Sequence, residues 1–298
     1  MLLFDTHADT LFRLCFPYGE GGEMDVTKEK LLQGGVTVQV MAMFVGRSDL
    51  QSIRIAFDKM LQKKEALKAE GFRQVDDLKE AREEETAFML SVEGCDLLDG
   101  RGEMLYDWRK QGVRMAALTW NYQNCVATPA CVDAVTGLTP FGREAVREMQ
   151  RLKMAVDVSH LNEKGFYELL EMGVVPLASH SCCRKLCDHV RNLTDDQLKA
   201  LFSAGGYVGV NFYPAFLRKD KKATLDDVCD HVIHMLDVGG EGHIGFGSDF
   251  DGIEIKPAGL AGPQDFPKLL DALGKRGLDE KLLRGIAGEN LLHYYERI

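Results

Sequence analysis

The sequence predicts one (β/α)8 barrel, the TIM-barrel architecture of α/β proteins, over residues 1–298. Eight short runs of apolar and β-branched residues alternate with longer amphipathic stretches from one end to the other. Eight strands, most of them followed by a helix, within about 250 to 300 residues are what this barrel requires. No Pro/Ser/Gly-rich linker and no change of composition divides the chain. We therefore expect a single barrel domain.

Each of the eight apolar runs is predicted to form one strand, and the first strand distinguishes between two possible folds. A doubly wound open sheet is the alternative, but it usually has fewer strands and a glycine-rich phosphate-binding turn after the first. Here the first strand ends in Thr-His-Ala-Asp-Thr, which lacks that fingerprint and favours the barrel. The eight predicted strands are Leu2–Asp9, Val36–Val45, Thr86–Gly94, Arg114–Trp120, Met154–His160, Val175–Ser181, Tyr207–Tyr213 and His243–Phe250.

Helical patterns occupy the segments between the strands. Asn162 and Thr194 stand immediately before two of these patterns, where a side chain that caps a helix is expected. The tail from Lys281 to Ile298 has the pattern of a terminal helix that packs on the barrel. The clearest predicted helices are Ser48–Ala69, Pro140–Leu152, Asn162–Met172, Thr194–Ser203 and Leu225–Val238.

Composition and charge indicate which partners are excluded and which cell compartment is expected. The net charge of −10, from 36 basic and 46 acidic residues, argues against nucleic acid and against an anionic membrane surface. No apolar run approaches the roughly 18 residues that a membrane span needs. The first acidic residue is Asp5 and no basic segment precedes it, so we expect no export signal. The eight cysteines lack a framework spacing, which predicts reduced thiols and a cytoplasmic protein.

Polar residues end most of the predicted strands. Active sites of such barrels lie at the carboxyl ends of the strands, so these residues are the candidates for chemistry. His7 and Asp9 end the first strand, and strand alternation places both on one face. This His-x-Asp pair alone is a weak signal, because the pattern is common by chance. The later strand ends strengthen it, since they carry Glu93, His160, His180, Tyr213 and Asp249.

The strand-end residues together predict a metal site. Three imidazoles and three carboxylates are too many for one tetrahedral zinc, but they suit two metals that share a bridging carboxylate. Glu93 is the expected bridge, because no strand ends in a lysine that could take that role. Asp251 has the same parity as Asp249, so the pattern leaves open which of the two lies nearer the metals. Manganese or cobalt would fit the same ligands as zinc.

Seven motifs, spread over nearly the whole chain, contain the candidate residues. They are Asp5-Thr-His-Ala-Asp9, Ser91-Val-Glu-Gly94, Asp157-Val-Ser-His160, Ala178-Ser-His-Ser181, His189-Val-Arg-Asn192, Val210-Asn-Phe-Tyr213 and Gly245-Phe-Gly-Ser-Asp-Phe-Asp-Gly252. In this order they resemble the motifs of the membrane (renal) dipeptidase family, zinc peptidases of the amidohydrolase superfamily. The sequence near the carboxyl terminus, Glu289-Asn-Leu-Leu292, is similar to the closing helix of that family.

The resemblance implies two zinc ions per chain and a ligand set for them. His7 and Asp9 would hold one ion, His160 and His180 the other, and Glu93 would bridge the two. In the implied mechanism a metal-bridging hydroxide attacks the carbonyl of the scissile peptide bond. Bound zinc makes this possible because it lowers the pKa of water to about 7 and polarises the carbonyl.

The resemblance also implies roles in handling the substrate. Asp249 would accept the proton of the attacking water, and Arg191 would grip the substrate's C-terminal carboxylate with its planar fork of donors. Tyr213 resembles a residue that lines the same pocket. One position departs from the family: Trp120 stands where mammalian members carry a histidine that binds substrate and stabilises the intermediate. An indole cannot be a cation, so stabilisation of the oxyanion would rest on the metals or on Asn121.

The function that we expect from the sequence is hydrolysis of the peptide bond of dipeptides, with an L- or a D-residue at the C-terminal position. The alternative within the superfamily is a binuclear-metal amidohydrolase that acts on a different amide, lactam or lactone. A non-catalytic metal-binding scaffold is the alternative of another class, but the intact ligand set argues against it. We expect a small dipeptide as the partner, with neither nucleic acid nor membrane, and homodimerisation is left open.

Overall fold

The computed structural model describes residues 1–17 and 23–298 and shows a closed barrel of eight parallel strands. Around the ring the strands run β2-β1-β9-β8-β7-β6-β5-β4, and pairing of β2 with β4 closes it. The short strand β3 pairs with β4 on the outside of the ring. The strands are β1 Phe4–Ala8, β2 Val38–Phe44, β3 Arg73–Gln74, β4 Ala87–Glu93, β5 Val113–Ala117, β6 Ala155–Asp157, β7 Leu177–Ser181, β8 Tyr207–Val210 and β9 Ile244–Phe246. The predicted (β/α)8 barrel is confirmed.

Helices follow most of the strands and cover the outside of the barrel. The caps predicted for two of them are present, since the side chains of Asn162 and Thr194 accept hydrogen bonds from the amides of Gly165 and Gln197. The tail forms α11, a π-helical turn over Gly285–Glu289, and α12. The α-helices are α1 Thr10–Cys15, α2 Lys28–Gly34, α3 Leu50–Ala69, α4 Met104–Lys110, α5 Pro140–Arg151, α6 Glu163–Glu171, α7 Asp195–Ser203, α8 Pro214–Leu217, α9 Leu225–Asp237, α10 Phe266–Lys275, α11 Glu280–Arg284 and α12 Asn290–Arg297.

Four strands end three or four residues before their predicted carboxyl ends. β5, β6 and β8 stop three residues before their predicted ends, and β9 stops four residues early. His160 and Asp249 have φ values of 69° and 66°, in the left-handed region, where a strand cannot continue. Both residues therefore lie beyond the ends of β6 and β9, and the prediction that the strands extend through them is wrong.

Small residues fill the barrel interior directly below these turns. The Thr6 hydroxyl donates a hydrogen bond to the Ser179 carbonyl at 2.6 Å. A Cβ at Gly247 would lie 1.8 Å from that same carbonyl oxygen, and one at Gly209 would lie 2.2 Å from Thr6 Oγ1. Only glycine fits at these two positions, since the neighbouring strands approach each other so closely. This tightly packed layer forms the floor on which the residues at the strand ends are held.

Two further features bear on the sequence predictions. All eight cysteines are free thiols, and five of them are buried. Among the described residues, none of the helices combines the length and the apolar character needed to cross a bilayer.

Candidate active site

The six candidate ligands converge at the carboxyl-terminal mouth of the barrel. His7 Nε2 lies 3.7 Å from Glu93 Oε2, 3.7 Å from Asp249 Oδ1 and 3.8 Å from Asp9 Oδ1. His7 and Glu93 extend from β1 and β4, whereas Asp9 stands at the start of α1, directly after β1. The imidazole of His7 is therefore surrounded by three carboxylates from three different strand ends.

Glu93 also contacts two further imidazoles, those of His160 and His180. Its Oε1 lies 2.8 Å from His160 Nε2 and 3.5 Å from His180 Nε2, and the two Nε2 atoms are 3.0 Å apart. One carboxylate oxygen of Glu93 thus faces His7 and the other faces the His160–His180 pair. This is the arrangement that a bridging carboxylate requires.

The donor atoms fit a pair of divalent metal ions. Two sets of three donors, His7 with Glu93 and His180, and His7 with Asp9 and Asp249, each lie within 4.8 Å of one another. His7 Nε2 and Asp9 Oδ1 are buried without a hydrogen-bond partner in residues 1–17 and 23–298. Buried polar atoms without partners are costly, and a metal ion would satisfy both. Imidazole nitrogens and carboxylate oxygens are the ligands that zinc and similar borderline metals take.

The electrostatics of the cluster also favour a cation. Burial, together with the negative charges of its neighbours, raises the pKa values of Asp9 and Glu93 well above the usual range. Burial raises the pKa of Asp249 to about 7. Burial and the positive charge of Arg191 lower the pKa of His7 to about 3, so its imidazole stays neutral. The single positive charge of Arg191 does not balance three packed carboxylates, and a metal ion stabilises such a group together with neutral imidazoles.

Hydrogen bonds orient the imidazoles of His160 and His180. His160 Nδ1 lies 2.9 Å from Asn121 Oδ1, so Nδ1 donates its proton to the amide oxygen. The lone pair of His160 Nε2 is then available to bind a metal ion. His180 Nδ1 lies 2.7 Å from Ser179 Oγ, and that hydroxyl donates to the buried carboxylate of Asp157. A carboxylate behind a ligand imidazole sets its tautomer and its direction, here through an intervening hydroxyl.

The structure separates the two aspartates that the sequence pattern left open. Asp249 lies at the cluster, and its Oδ2 accepts a hydrogen bond of 3.0 Å from Asn211 Nδ2. The carboxylate of Asp251 is instead saturated by the Thr10 hydroxyl at 2.9 Å and the Asp25 amide at 2.7 Å. Asp249 is therefore the aspartate with a free oxygen toward the candidate metals, and Asp251 ties the loop after β9 to the first helix.

A cavity of about 390 Å³ opens over the cluster and contains the four predicted substrate-binding residues. Arg191 is 5 % exposed, and its guanidinium lies 5.4 Å from the centre of the Phe216 ring. Its Nε is buried without a hydrogen-bond partner in the described part of the chain. Burial lowers the pKa of Arg191, and the negative charges of Glu93 and Asp249 oppose that effect. The four residues are Arg191, Tyr213, Trp120 and Asn121.

Sequence reasoning missed three residues that shape this site. Asn211 holds Asp249, and Ser179 holds His180; both lie inside the motifs quoted above, where a polar residue beside a ligand is the available signal. Gly252 was not singled out either. A Cβ there would lie 2.4 Å from Asp9 Oδ2 and 2.6 Å from Asp249 Oδ1. No local pattern predicts that contact.

Known proteins share this sequence over much of its length. The chain is 40% identical over 213 residues to an uncharacterized dipeptidase of Schizosaccharomyces pombe, covering 70% of this chain and 52% of that protein. It is 34% identical over 216 residues to dipeptidase tcpJ of Claviceps purpurea, covering 71% and 51%. The matched region spans about half the length of these two relatives.

Solved structures share the fold over its full extent. A metallo peptidase from Rhodobacter sphaeroides, liganded with a phosphinate mimic of the dipeptide L-Ala-D-Ala, superposes with a TM-score of 0.92 at 26% identity. The superposition covers 100% of this chain and 99% of that one. The dipeptidase AC, a metallo peptidase of family M19, gives the same TM-score and identity over 100% and 98%. The model of the membrane dipeptidase family matches residues 1–298. This chain therefore belongs to the membrane dipeptidase family, peptidase family M19.

Proposed function

We propose that this protein is a zinc-dependent dipeptidase that hydrolyses the peptide bond of dipeptides. The observation that carries the proposal is a single cavity that is lined by both Asp9 and the buried Arg191. Asp9 Oδ1 has no hydrogen-bond partner in the described residues, and the equally unpartnered Nε2 of His7 lies 3.8 Å from it. A metal centre beside a buried cation suits a substrate with a cleavable amide near a free carboxylate. Membership of the M19 family supports the same reaction.

Two zinc ions per chain are proposed, with the ligands expected from the sequence. His7 and Asp9 would hold one ion, His160 and His180 the other, and Glu93 would bridge them. When bound, zinc supplies a hydroxide from water near neutral pH and polarises the carbonyl of the substrate. The contacts of Glu93 on both sides, 3.7 Å to His7 and 2.8 Å to His160, support its bridging role.

Asp249 is the proposed proton carrier. Asn211 holds its Oδ2, which leaves Oδ1 directed toward His7 at the centre of the cluster. From this position Oδ1 can accept the proton of the attacking water and pass it to the leaving amine.

Arg191 is the proposed partner of the substrate's C-terminal carboxylate. Its charge is buried, and a bidentate pair with a carboxylate would satisfy its donors. Tyr213 packs edge-on against Phe216 at 5.0 Å, so both rings line the same side of the cavity. Asn121, which follows Trp120, accepts a hydrogen bond from His160 through its amide oxygen. Its amide nitrogen is then the group that we propose to donate to the developing oxyanion.

The stereochemistry of the substrate follows from a relative. The Rhodobacter sphaeroides metallo peptidase binds a phosphinate mimic of L-Ala-D-Ala. We propose that this chain likewise accepts a D-residue at the C-terminal position. Paired assays with L-Ala-L-Ala and L-Ala-D-Ala test this directly, and turnover of the L,L-dipeptide alone would contradict it.

Replacement of the bridging residue tests the metal centre. Glu93→Gln removes the charge between the two sets of ligands while it keeps the size of the side chain. We expect it to abolish zinc loading and dipeptide turnover together, with zinc measured by inductively coupled plasma mass spectrometry after purification without chelator. Wild-type zinc content with wild-type hydrolysis in this variant would refute the assignment.

C-terminal amidation of the substrate tests the reaction class. Zinc-loaded protein should hydrolyse dipeptides and fail on the same dipeptides with an amidated C-terminus, because Arg191 then has no carboxylate to bind. Arg191→Met should lower kcat/KM for the free dipeptide by at least about a hundredfold, the cost of losing a charged hydrogen-bonded partner. Equal cleavage of amidated dipeptides, or preferred hydrolysis of lactones or lactams, would favour the alternative amidohydrolase.

The protein is also proposed to act in the cytoplasm on small dipeptides. Its eight free cysteines support this location. Cell fractionation with an antibody against the native protein tests it, and recovery with the secreted fraction would contradict it.

A further inference from the structure

The order of strands in the ring places two walls of the cavity opposite each other. In a closed ring of eight strands, a strand faces the one that lies four places away, and β2 lies four places from β7. Phe44 is the last residue of β2, and Arg191 lies in the loop that follows β7. The cluster around Glu93 lies between them. A ligand that reaches from Arg191 across the cluster therefore ends at Phe44.

The wall opposite Arg191 is aromatic. The Trp120 ring packs edge-on against Phe44, with ring centres 4.8 Å apart, and both residues line the cavity. Tyr122 contacts the other side of Trp120 at 5.5 Å, and Arg47 lies over the Tyr122 ring at 5.1 Å. Trp120 thus packs against two other aromatic rings. We refer to Phe44 and Trp120 as the aromatic wall.

We propose that the aromatic wall is the binding surface for the side chain of the amino-terminal residue, and that the enzyme prefers dipeptides that begin with a bulky apolar or aromatic residue. This inference rests on the proposed dipeptidase function. With its carboxylate on Arg191 and its scissile carbonyl at the cluster, a dipeptide must place its first residue on the Phe44 side. A flat apolar surface gains from burying an apolar side chain and gains little from glycine.

The expected ratio of kcat/KM values follows from how apolar pockets discriminate between side chains of different size. One methylene in such a pocket changes kcat/KM by roughly 10- to 200-fold. We therefore expect Leu-Gly and Phe-Gly to exceed Gly-Gly by at least about tenfold in kcat/KM. Because this side chain does not change during the reaction, most of the difference should appear in KM.

Variants of the wall separate this inference from the proposed function. Trp120→Ala should shrink the ratio of kcat/KM for Leu-Gly to that for Gly-Gly to within about threefold, and Trp120→Phe should restore most of the ratio. Phe44→Ala provides a second, independent loss of the same wall. Zinc content and thermal unfolding show that each variant is folded.

A matched variant on the opposite side of the cavity serves as the control. Phe216→Leu changes an aromatic lining residue beside Arg191, and it should leave the ratio of Leu-Gly to Gly-Gly unchanged. An unchanged ratio in both Trp120→Ala and Phe44→Ala, or a wild-type enzyme without preference at the first residue, would overturn this inference and leave the dipeptidase function standing. Absence of turnover with every dipeptide in the zinc-loaded wild type would overturn both.

Discussion

Gly252 is the position where the smallest change should have the largest effect on the metal centre. A Cβ built on Gly252 lies 2.4 Å from Asp9 Oδ2 and 2.6 Å from Asp249 Oδ1, whereas ordinary contacts begin at 3.4 Å. Its φ lies outside the left-handed region, so alanine would meet a steric clash without backbone strain. Gly252→Ala must therefore displace two carboxylates or the loop that carries the new methyl group.

The displacement is large on the scale of catalysis. Each carboxylate oxygen would have to move by roughly 1 Å, and a misplacement of that size costs about a hundredfold in rate. Asp249 cannot rotate away freely, because its Oδ2 is held by Asn211 at 3.0 Å. We expect Gly252→Ala to lower kcat/KM for a dipeptide by about a hundredfold and to weaken zinc binding.

The assay pairs this variant with a glycine in open space. Gly102 has no atom within 4 Å of an added Cβ and its φ also lies outside the left-handed region, so Gly102→Ala is the matched control. Zinc content after dialysis, kcat/KM and the thermal midpoint are measured for both variants. Wild-type zinc content with kcat/KM within about threefold of wild type in Gly252→Ala would refute the steric reasoning.

Three further predictions concern the groups that support the site. Ser179→Ala should weaken zinc binding by about 10- to 100-fold, because it leaves His180 Nδ1 without its hydrogen-bond partner. Competition with a chromogenic chelator measures the change in zinc affinity. Ser181→Ala on the same strand should change nothing, since that hydroxyl is buried without a partner in the described chain. Asn211→Ala should lower kcat by roughly tenfold with little change in KM, because Asp249 loses its orientation; an equal rise in KM would point to a role in binding. Removal of zinc with a chelator should destabilise the fold by about 2.7 kcal/mol relative to zinc at a hundred times its Kd. That corresponds to a fall of roughly 4 °C in Tm, reversed by added zinc, and an unchanged Tm would contradict a buried metal centre.

The fold was predictable because its signal is local and repeated. Each barrel strand is an apolar run, and the longer helices have their own periodicity. The eight barrel strands, five of the helices between them and the terminal helix could therefore be identified without knowledge of their contacts. Errors are concentrated at the carboxyl ends of β5, β6, β8 and β9. There the apolar pattern continues into turns such as the left-handed one at His160, which nothing in the hydrophobic alternation indicates.

The candidate ligands were predictable for a different reason. In a barrel every strand delivers its last residues to one mouth, so residue type and position along the chain suffice to assemble His7, Glu93 and His180. The groups that orient them were not predictable in the same way. Ser179 carries an ordinary hydroxyl whose role depends on the direction of the neighbouring His180 ring and on the carboxylate of Asp157.

The sequence by itself determined the architecture and the kinds of donor atom that meet at the barrel mouth, because hydrophobic periodicity and strand order act along the chain. Only the tertiary structure decided between Asp249 and Asp251. The difference arises from contacts with distant residues: Asn211 turns Asp249 toward the cluster, whereas Thr10 and Asp25 saturate Asp251. A side chain's free lone pairs depend on what the rest of the fold places beside it, and two aspartates two positions apart look alike until those neighbours are in place.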